Sequence, residues 1–323
     1  MRKTVLVTAI GTVTATAVVK ELKKTGEFYL IGADINERQE IATSLDVDEF
    51  YQFPLATDEK YLPFVLSFCK EHQVAYYYAV IDQEVVKISE MRDQFEAIGT
   101  RLCVANFEFA RICHYKNLFG EWIAANHPEA AIREYRTMEA ARSAKYPLFI
   151  KPSEGVASAG CRRIDTYEEL AASVKAEEVG SKILVQDHVV GRNVTVDCVR
   201  NEKTGQKMQI QRRELLRNSN GCGIAVEIFH DPRLEKICCA LMDELGLNGV
   251  CNMEFFETEE GFKIIEINPR FSAGTLYSCM SGANIVRNAM QIADGEDCEL
   301  GTVSVGARFA ERYEAYRMDS VGE

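Results

Sequence analysis

Apolar positions in the first hundred residues fall into short runs separated by stretches of helical period. Lys3–Ala9 (KTVLVTA), Phe28–Ala33, Phe50–Phe53, Val74–Ile81 and Arg101–Val104 read as strands. Ala15–Lys24, Tyr61–Glu71 and Glu84–Phe95 read as helices, the first stopped by Gly26. Strands alternating with helices predict a parallel, doubly wound sheet. Two further helices are expected at Phe107–His114 and Asn117–Asn126. From Tyr146 the pattern turns to strands at Pro147–Lys151, Gly160–Ile164 and Lys182–His188, with a helix over Tyr167–Ala176. Val194–Arg200 and Lys207–Glu214 predict an antiparallel meander, and Pro232–Leu245 a helix. Phe271–Cys279 reads as a loop before a helix at Ala283–Ala293, then a last strand at Val303–Phe309 and a frayed tail. No low-complexity linker or repeat interrupts the chain, which predicts domains packed into one body.

The most informative stretch is Val250–Arg270, VCNMEFFETEEGFKIIEINPR, which reads as a β-hairpin. A three-residue loop, Glu259-Glu260-Gly261, would place Thr258 opposite Phe262 and Phe256 opposite Ile264. Counting on pairs Glu254 with Glu266 and Asn252 with Asn268, and sends Met253, Phe255, Ile265 and Ile267 into a core. Carboxylates directly across a ladder have Cβ atoms about 4.5–5.5 Å apart and repel. Two of them beside two amides suit a hard cation, Mg²⁺ or Mn²⁺, completed by phosphate and water. Taken alone, the hairpin equally allows a solvent-facing polar edge with its acids splayed apart.

Composition narrows the field. Net charge is −12 and no basic run occurs, which argues against nucleic acid and against an anionic membrane surface. No apolar run reaches spanning length and nothing resembles a signal peptide, so a cytoplasmic protein is expected. The 11 cysteines lack C-x-x-C spacing, which predicts reduced, buried thiols in place of a disulfide framework or zinc site.

Other candidates carry competing readings. Gly11-Thr-Val-Thr-Ala lacks the G-x-G-x-x-G of a dinucleotide site, although Asp34 stands where a ribose ligand could. Asp82 and Glu84 lie beyond the carboxyl end of a strand, where open α/β sheets bind ligands, but they would serve equally as a helix cap. Pro152–Gly160 (PSEGVASAG) is a small-residue loop entered from Lys151, able to bring backbone N–H groups and a fixed positive charge to phosphate oxygens. No helix follows it, so it is not a Walker A motif. The histidines show no ligand spacing.

Two lysines, Lys116 and Lys151, this loop, and a hairpin carrying Glu254 and ending in Glu266-Ile-Asn268-Pro-Arg270 together resemble the ATP-grasp superfamily. The likeness is to its carbamoyl-phosphate-synthase-like branch of carboxylate–amine ligases and covers nearly the whole chain. It implies α/β then α+β architecture: a parallel pre-ATP-grasp α/β domain over 1–112, an ATP-grasp lid over 113–188 and an antiparallel core over 189–318, with a tail at 319–323. It further implies that Lys116 and Lys151 hold ATP phosphates under a loop including Gly155 and Ser158. Gln186 to Val189 (QDHV) would line adenine, with backbone groups of Asp187 and Val189 reading its edge. Glu254, Glu266 and Asn268 would bind two Mg²⁺ (or Mn²⁺) ions, and Arg270 would meet the transferred phosphate. Arg213 would be a further phosphate contact, with Arg212 as its rival. The family's usual ribose-binding glutamate is replaced by Asn193, which predicts somewhat weaker nucleotide binding.

The expected activity is an ADP-forming ligase that activates a carboxylate as an acyl-phosphate and passes it to an amine. The substrates would be small molecules of amino-acid type, lying near Asp82, Glu84, Arg270 and Ser272. Kinship allows a homodimer. The competing readings are a nucleotide-binding module without turnover and a dinucleotide-dependent oxidoreductase.

Overall fold

The structure is a computed structural model that describes residues 2–153 and 160–318; the tail assigned to 319–323 lies outside them. Three sheets form in sequence order. The first is parallel and five-stranded, ordered Glu49–Gln52, Phe28–Asp34, Lys3–Thr8, Val74–Tyr78, Arg101–Leu102. Its central strands are buried on both faces because helices cover both. Val5, Val7 and Tyr78 pack with Val18 and Leu22 of the helix Val13–Thr25, while Leu6, Ile31 and Tyr77 pack with Val65, Ile88 and Phe95. That helix starts where the Thr12 hydroxyl accepts from Ala15 N and stops at Gly26, whose φ of +67° is the left-handed cap only glycine adopts without strain.

The second sheet is antiparallel and four-stranded, ordered Glu134–Tyr135, Ile183–Asp187, Leu148–Pro152, Arg162–Ile164. The third is antiparallel and six-stranded: Gly261–Asn268, Gly249–Thr258, Arg192–Arg200, Lys207–Arg217, Gly223–Phe229, Arg308–Ala310. Alternation along these strands sorts their side chains. Val194, Val196, Cys198, Cys251, Met253 and Phe255 meet Leu234, Leu241 and Met242 of the helix Pro232–Glu244. The opposite face carries Val199, Ile210, Ile228 and Val250 into the core shared with the parallel sheet. The large antiparallel sheet is therefore fused to the first sheet through a common apolar layer.

Two local differences from the sequence reading stand out. The stretch Phe271–Cys279, expected as a loop, holds a helix at Thr275–Met280. The strand Gly223–Phe229 went unpredicted because it opens beside the turn-forming Asn218–Cys222 segment. Among the described residues no helix is long and apolar enough to cross a membrane, and all 11 cysteines are free thiols.

Candidate functional site

The hairpin closes through a two-residue turn, Glu259–Glu260, tighter than the expected three. Thr258 lies opposite Gly261, whose φ is +135°, then Glu257 opposite Phe262 and Phe255 opposite Ile264. Ile265 is then an extra residue, a bulge that shifts the register by one. Beyond it Glu254 faces Glu266 and Asn252 faces Asn268, the pairing the sequence required. The correction falls on Ile265: expected in the core, it lines the cleft, and Ile264 is buried in its place.

Directly opposed residues share a face, so Glu266, Glu254, Thr195 and Arg212 form one row across four strands. Asn268, Asn252, Asp197 and Ile210 form the next. Both rows look toward a cleft of about 410 Å³ bordered by the two antiparallel sheets and by the helix that opens at Asp82. Eleven of the candidate residues line it: Asp82, Lys116, Lys151, Gln186, Asp187, Val189, Asn193, Glu254, Glu266, Asn268 and Arg270.

Each is held by identifiable contacts. The Lys151 Nζ donates to the Ile265 carbonyl at 3.2 Å, and Lys116 Nζ lies 3.9 Å from Glu266 Oε2. Burial pushes the Lys151 ammonium below its ordinary pKa, while the charges of Glu266 and Glu134 pull it back. Arg270 Nε bonds Asp82 Oδ2 at 3.0 Å, and its Nη2 bonds Asn268 Oδ1 at 3.2 Å. Asp82 opens a helix at the carboxyl end of the strand Val74–Tyr78, beside Lys3–Thr8, where the strand order of the parallel sheet reverses. The ion pair thus ties the end of the hairpin to the crevice where such sheets bind ligands. Gln186 Nε2 donates to Glu134 Oε1 at 2.7 Å.

Glu254 shows what the arrangement asks for. Burial first, and the facing Glu266 second, push its carboxyl up to about 8. Two acids and an amide oxygen crowded on one face are a donor set for a hard divalent cation, which would offset that repulsion. Among the described residues no group of three His, Cys, Asp or Glu offers a metal site elsewhere.

Several expectations need correcting. Glu84 is not in the cleft: it is 1% exposed and accepts hydrogen bonds from Thr8, Tyr61 and Tyr77. Ser272 is also buried, with its hydroxyl against Arg212 Nη2 at 3.0 Å. Arg213 sits on the face opposite Glu254, forked onto Glu257 and lying 3.7 Å over the Phe229 ring. Its rival Arg212 faces the right way but is consumed by Asp197, Ser272 and Ser278. The Asp187 N–H is engaged with the Arg133 carbonyl, so that group cannot read an adenine edge. Asp34 is occupied by Gly11 N and Asn36, in keeping with the missing dinucleotide motif. Gly155 and Ser158 lie outside the described residues.

The cleft also holds residues the sequence reading missed. Phe149 and Phe256 supply apolar walls two positions from Lys151 and Glu254, so strand alternation could have found them. Ile132, Cys161 and Arg217 also line it, and nothing in their local sequence marks them; His188, within the stretch expected to line adenine, lines it as well.

Residues 180–314 match the family described as ATP-grasp in the biosynthetic pathway with Ter operon. Residues 5–103 match the PylC-like N-terminal domain. The chain carries an ATP-grasp domain. Its ATP-grasp match includes the hairpin, and its PylC-like match includes Asp82. The carbamoyl phosphate synthase large chain of Clostridium beijerinckii is 24% identical over 319 residues, covering 88% of this chain but 27% of that protein. This chain thus spans about a quarter of that relative's length. The 3-methyl-D-ornithine--L-lysine ligase of Methanosarcina mazei is 25% identical over 163 residues, 49% of this chain and 41% of that one. The fold is shared with the biotin carboxylase domain of Hydrogenobacter thermophilus 2-oxoglutarate carboxylase, solved with MgADP, ADP and bicarbonate. The TM-score is 0.73 at 19% identity, covering 95% of this chain and 72% of that one.

Proposed function

We propose that this chain is an ADP-forming ligase that activates a carboxylate as an acyl-phosphate and transfers the acyl group to an amine, with amino acids as the substrate class. The observation that carries this reading is the meeting of Lys116, Lys151, Glu254, Glu266, Asn268 and Arg270 in one cleft. In this reading the lysines neutralise the phosphates of ATP, with Phe149, Gln186 and Val189 around adenine and Asn193 at the ribose. Glu254, Glu266 and Asn268 hold two magnesium or manganese ions, which when bound neutralise phosphate charge and fix the triphosphate. The substrate carboxylate attacks the γ-phosphorus, the bond to the β–γ bridging oxygen breaks, and ADP leaves. Arg270, held on one side by Asp82, offsets the negative charge gathering on the transferred phosphoryl group. The amine then attacks the acyl carbon and phosphate departs with its electron pair. Residues 113–188 serve as a lid over the core at 189–318, excluding water from the labile acyl-phosphate.

The relative from Methanosarcina mazei, named for joining two amino acids, supports the substrate class. The test is phosphate and ADP release over pairs of amino acids and small acids, with Glu266→Gln as the blank. Release that needs both partners and is lost in the variant is the expected result. ADP binding without release from any pair would instead favour a nucleotide-binding module.

A further inference from the structure

Resting on the ion-binding role proposed above for Asn268, we propose that Asp197 and Asn252 are positioning residues that fix which end of the Asn268 carboxamide faces the cleft. An asparagine amide has two ends of nearly equal shape, one donating and one accepting, and only its neighbours tell them apart. A cation needs the oxygen. Turned over, the side chain would present N–H groups to it.

The ordering begins at Asp197, 1% exposed beneath the cleft floor. As a carboxylate it only accepts, and its partners are all donors. Both Arg212 Nη groups reach it, Nη2 at 3.1 Å, and the Ser278 hydroxyl lies at 2.6 Å. Asn252 approaches Oδ1 at 3.3 Å and must therefore offer Nδ2, which also lies 3.5 Å from the Val196 carbonyl. That turns the Asn252 Oδ1 toward the neighbouring strand, where Asn268 lies directly opposite. Asn268 answers with its own Nδ2 at 3.4 Å, and the same N–H₂ group lies 3.2 Å from Glu254 Oε1. Its Oδ1 is left on the cleft side, 3.2 Å from Arg270 Nη2. Polarity passes from a buried carboxylate through two amides to the site.

Glu254 and Arg270 reinforce this orientation while the cleft is empty. Once Glu254 turns to a cation and Arg270 to a phosphate, neither is free to do so. Asp197 and Asn252, 1% and 2% exposed, touch no substrate and keep their roles throughout. Outer partners of metal ligands typically carry a 10–100-fold effect on metal affinity.

The experiment measures Mn²⁺ binding by electron paramagnetic resonance to the full chain loaded with ADP. Asn252→Leu keeps the side chain's bulk and leaves the Arg212–Asp197 pair intact, but it removes the relay. Mn²⁺ affinity should fall by roughly 10–100-fold, with metal-free ADP affinity within about twofold of the parent. Asp197→Asn, which removes the charged acceptor holding Asn252 Nδ2 and leaves only the longer contact to the Val196 carbonyl, should shift Mn²⁺ affinity in the same direction, and it decides the matter if Asn252→Leu does not fold. Mn²⁺ affinity within twofold of the parent in a folded variant overturns the relay and leaves the ligase reading standing. A parent chain that binds no Mn²⁺ with ADP overturns both.

Discussion

Removing one of the two opposed acids should make the metal-free protein more stable, and the gain should depend on pH. Glu254 is raised from 4.5 to about 8, by burial and then by Glu266 across the ladder. In the unfolded chain a glutamate titrates near 4.3. Between these values the folded protein binds a proton that the unfolded chain has released, so stability falls as pH rises through this window. The penalty is absent below about pH 4.5 and complete above about pH 8. An elevation of that size corresponds to roughly 5 kcal/mol at its full extent. Relaxation of the side chain toward the cleft reduces the observable part to about 2–4 kcal/mol. Glu254→Gln carries no proton and can donate to Glu266, so it should escape the penalty.

The assay is thermal melting in EDTA at pH 5 and at pH 8.5. With about 2.1 cal/mol/K per residue for unfolding, the expected gain is about 3–6 °C at pH 8.5, shrinking toward zero at pH 5. Adding Mg²⁺ and ADP should reverse the order, because bound ligand stabilises only a protein that can hold it. If Glu254→Gln melts at or below the parent at pH 8.5 in EDTA, the reasoning about crowded carboxylates is refuted.

Three further substitutions separate the cleft from its surroundings. Arg270→Met should lower kcat by about 10²–10³-fold while ADP affinity, read by calorimetry, changes only a few-fold. Glu84→Gln disturbs a buried acceptor of three hydroxyl groups and should cost about 1–3 kcal/mol in urea unfolding. Substrate KM should not move, and a large KM change would return Glu84 to the site. Arg213→Ala loses the fork to Glu257 and the Phe229 face, for a cost of about 1–2 kcal/mol, and KM for ATP should stay within twofold.

The errors in the sequence reading share a physical origin. Asp82 and Glu84 are two positions apart on a helix, about 200° around its axis, so only one could face the cleft. The sequence shows that both are acidic but not which one turns inward; Tyr61 and Tyr77, distant in sequence, decide it. Arg212 and Arg213 are adjacent on a strand and must point to opposite faces. Choosing between them required knowing that Asp197 lies beneath one and Glu257 beside the other. By contrast, the residues of E-I-N-P-R and its partner Glu254 share a hairpin. Their relation is local, set by the turn and the bulge within that hairpin with no distant residue deciding it.

The hairpin also shows how a correct pairing can rest on an incorrect count. A turn one residue shorter than expected, left uncorrected, would have set Glu254 opposite Ile265 and turned Glu266 to the core side. The bulge restores the register, and it does more than that. An extra residue is left out of the ladder, with its backbone groups outside the pairing. Ile265 is that residue, and its carbonyl accepts from Lys151 Nζ of the second sheet. The ammonium, drawn down by burial, is thereby anchored between a freed carbonyl and the charge of Glu266. One inserted residue thus fixes the spacing of the acids and the position of the lysine facing them. Deleting Ile265 should disturb both together, which no substitution of either side chain could do.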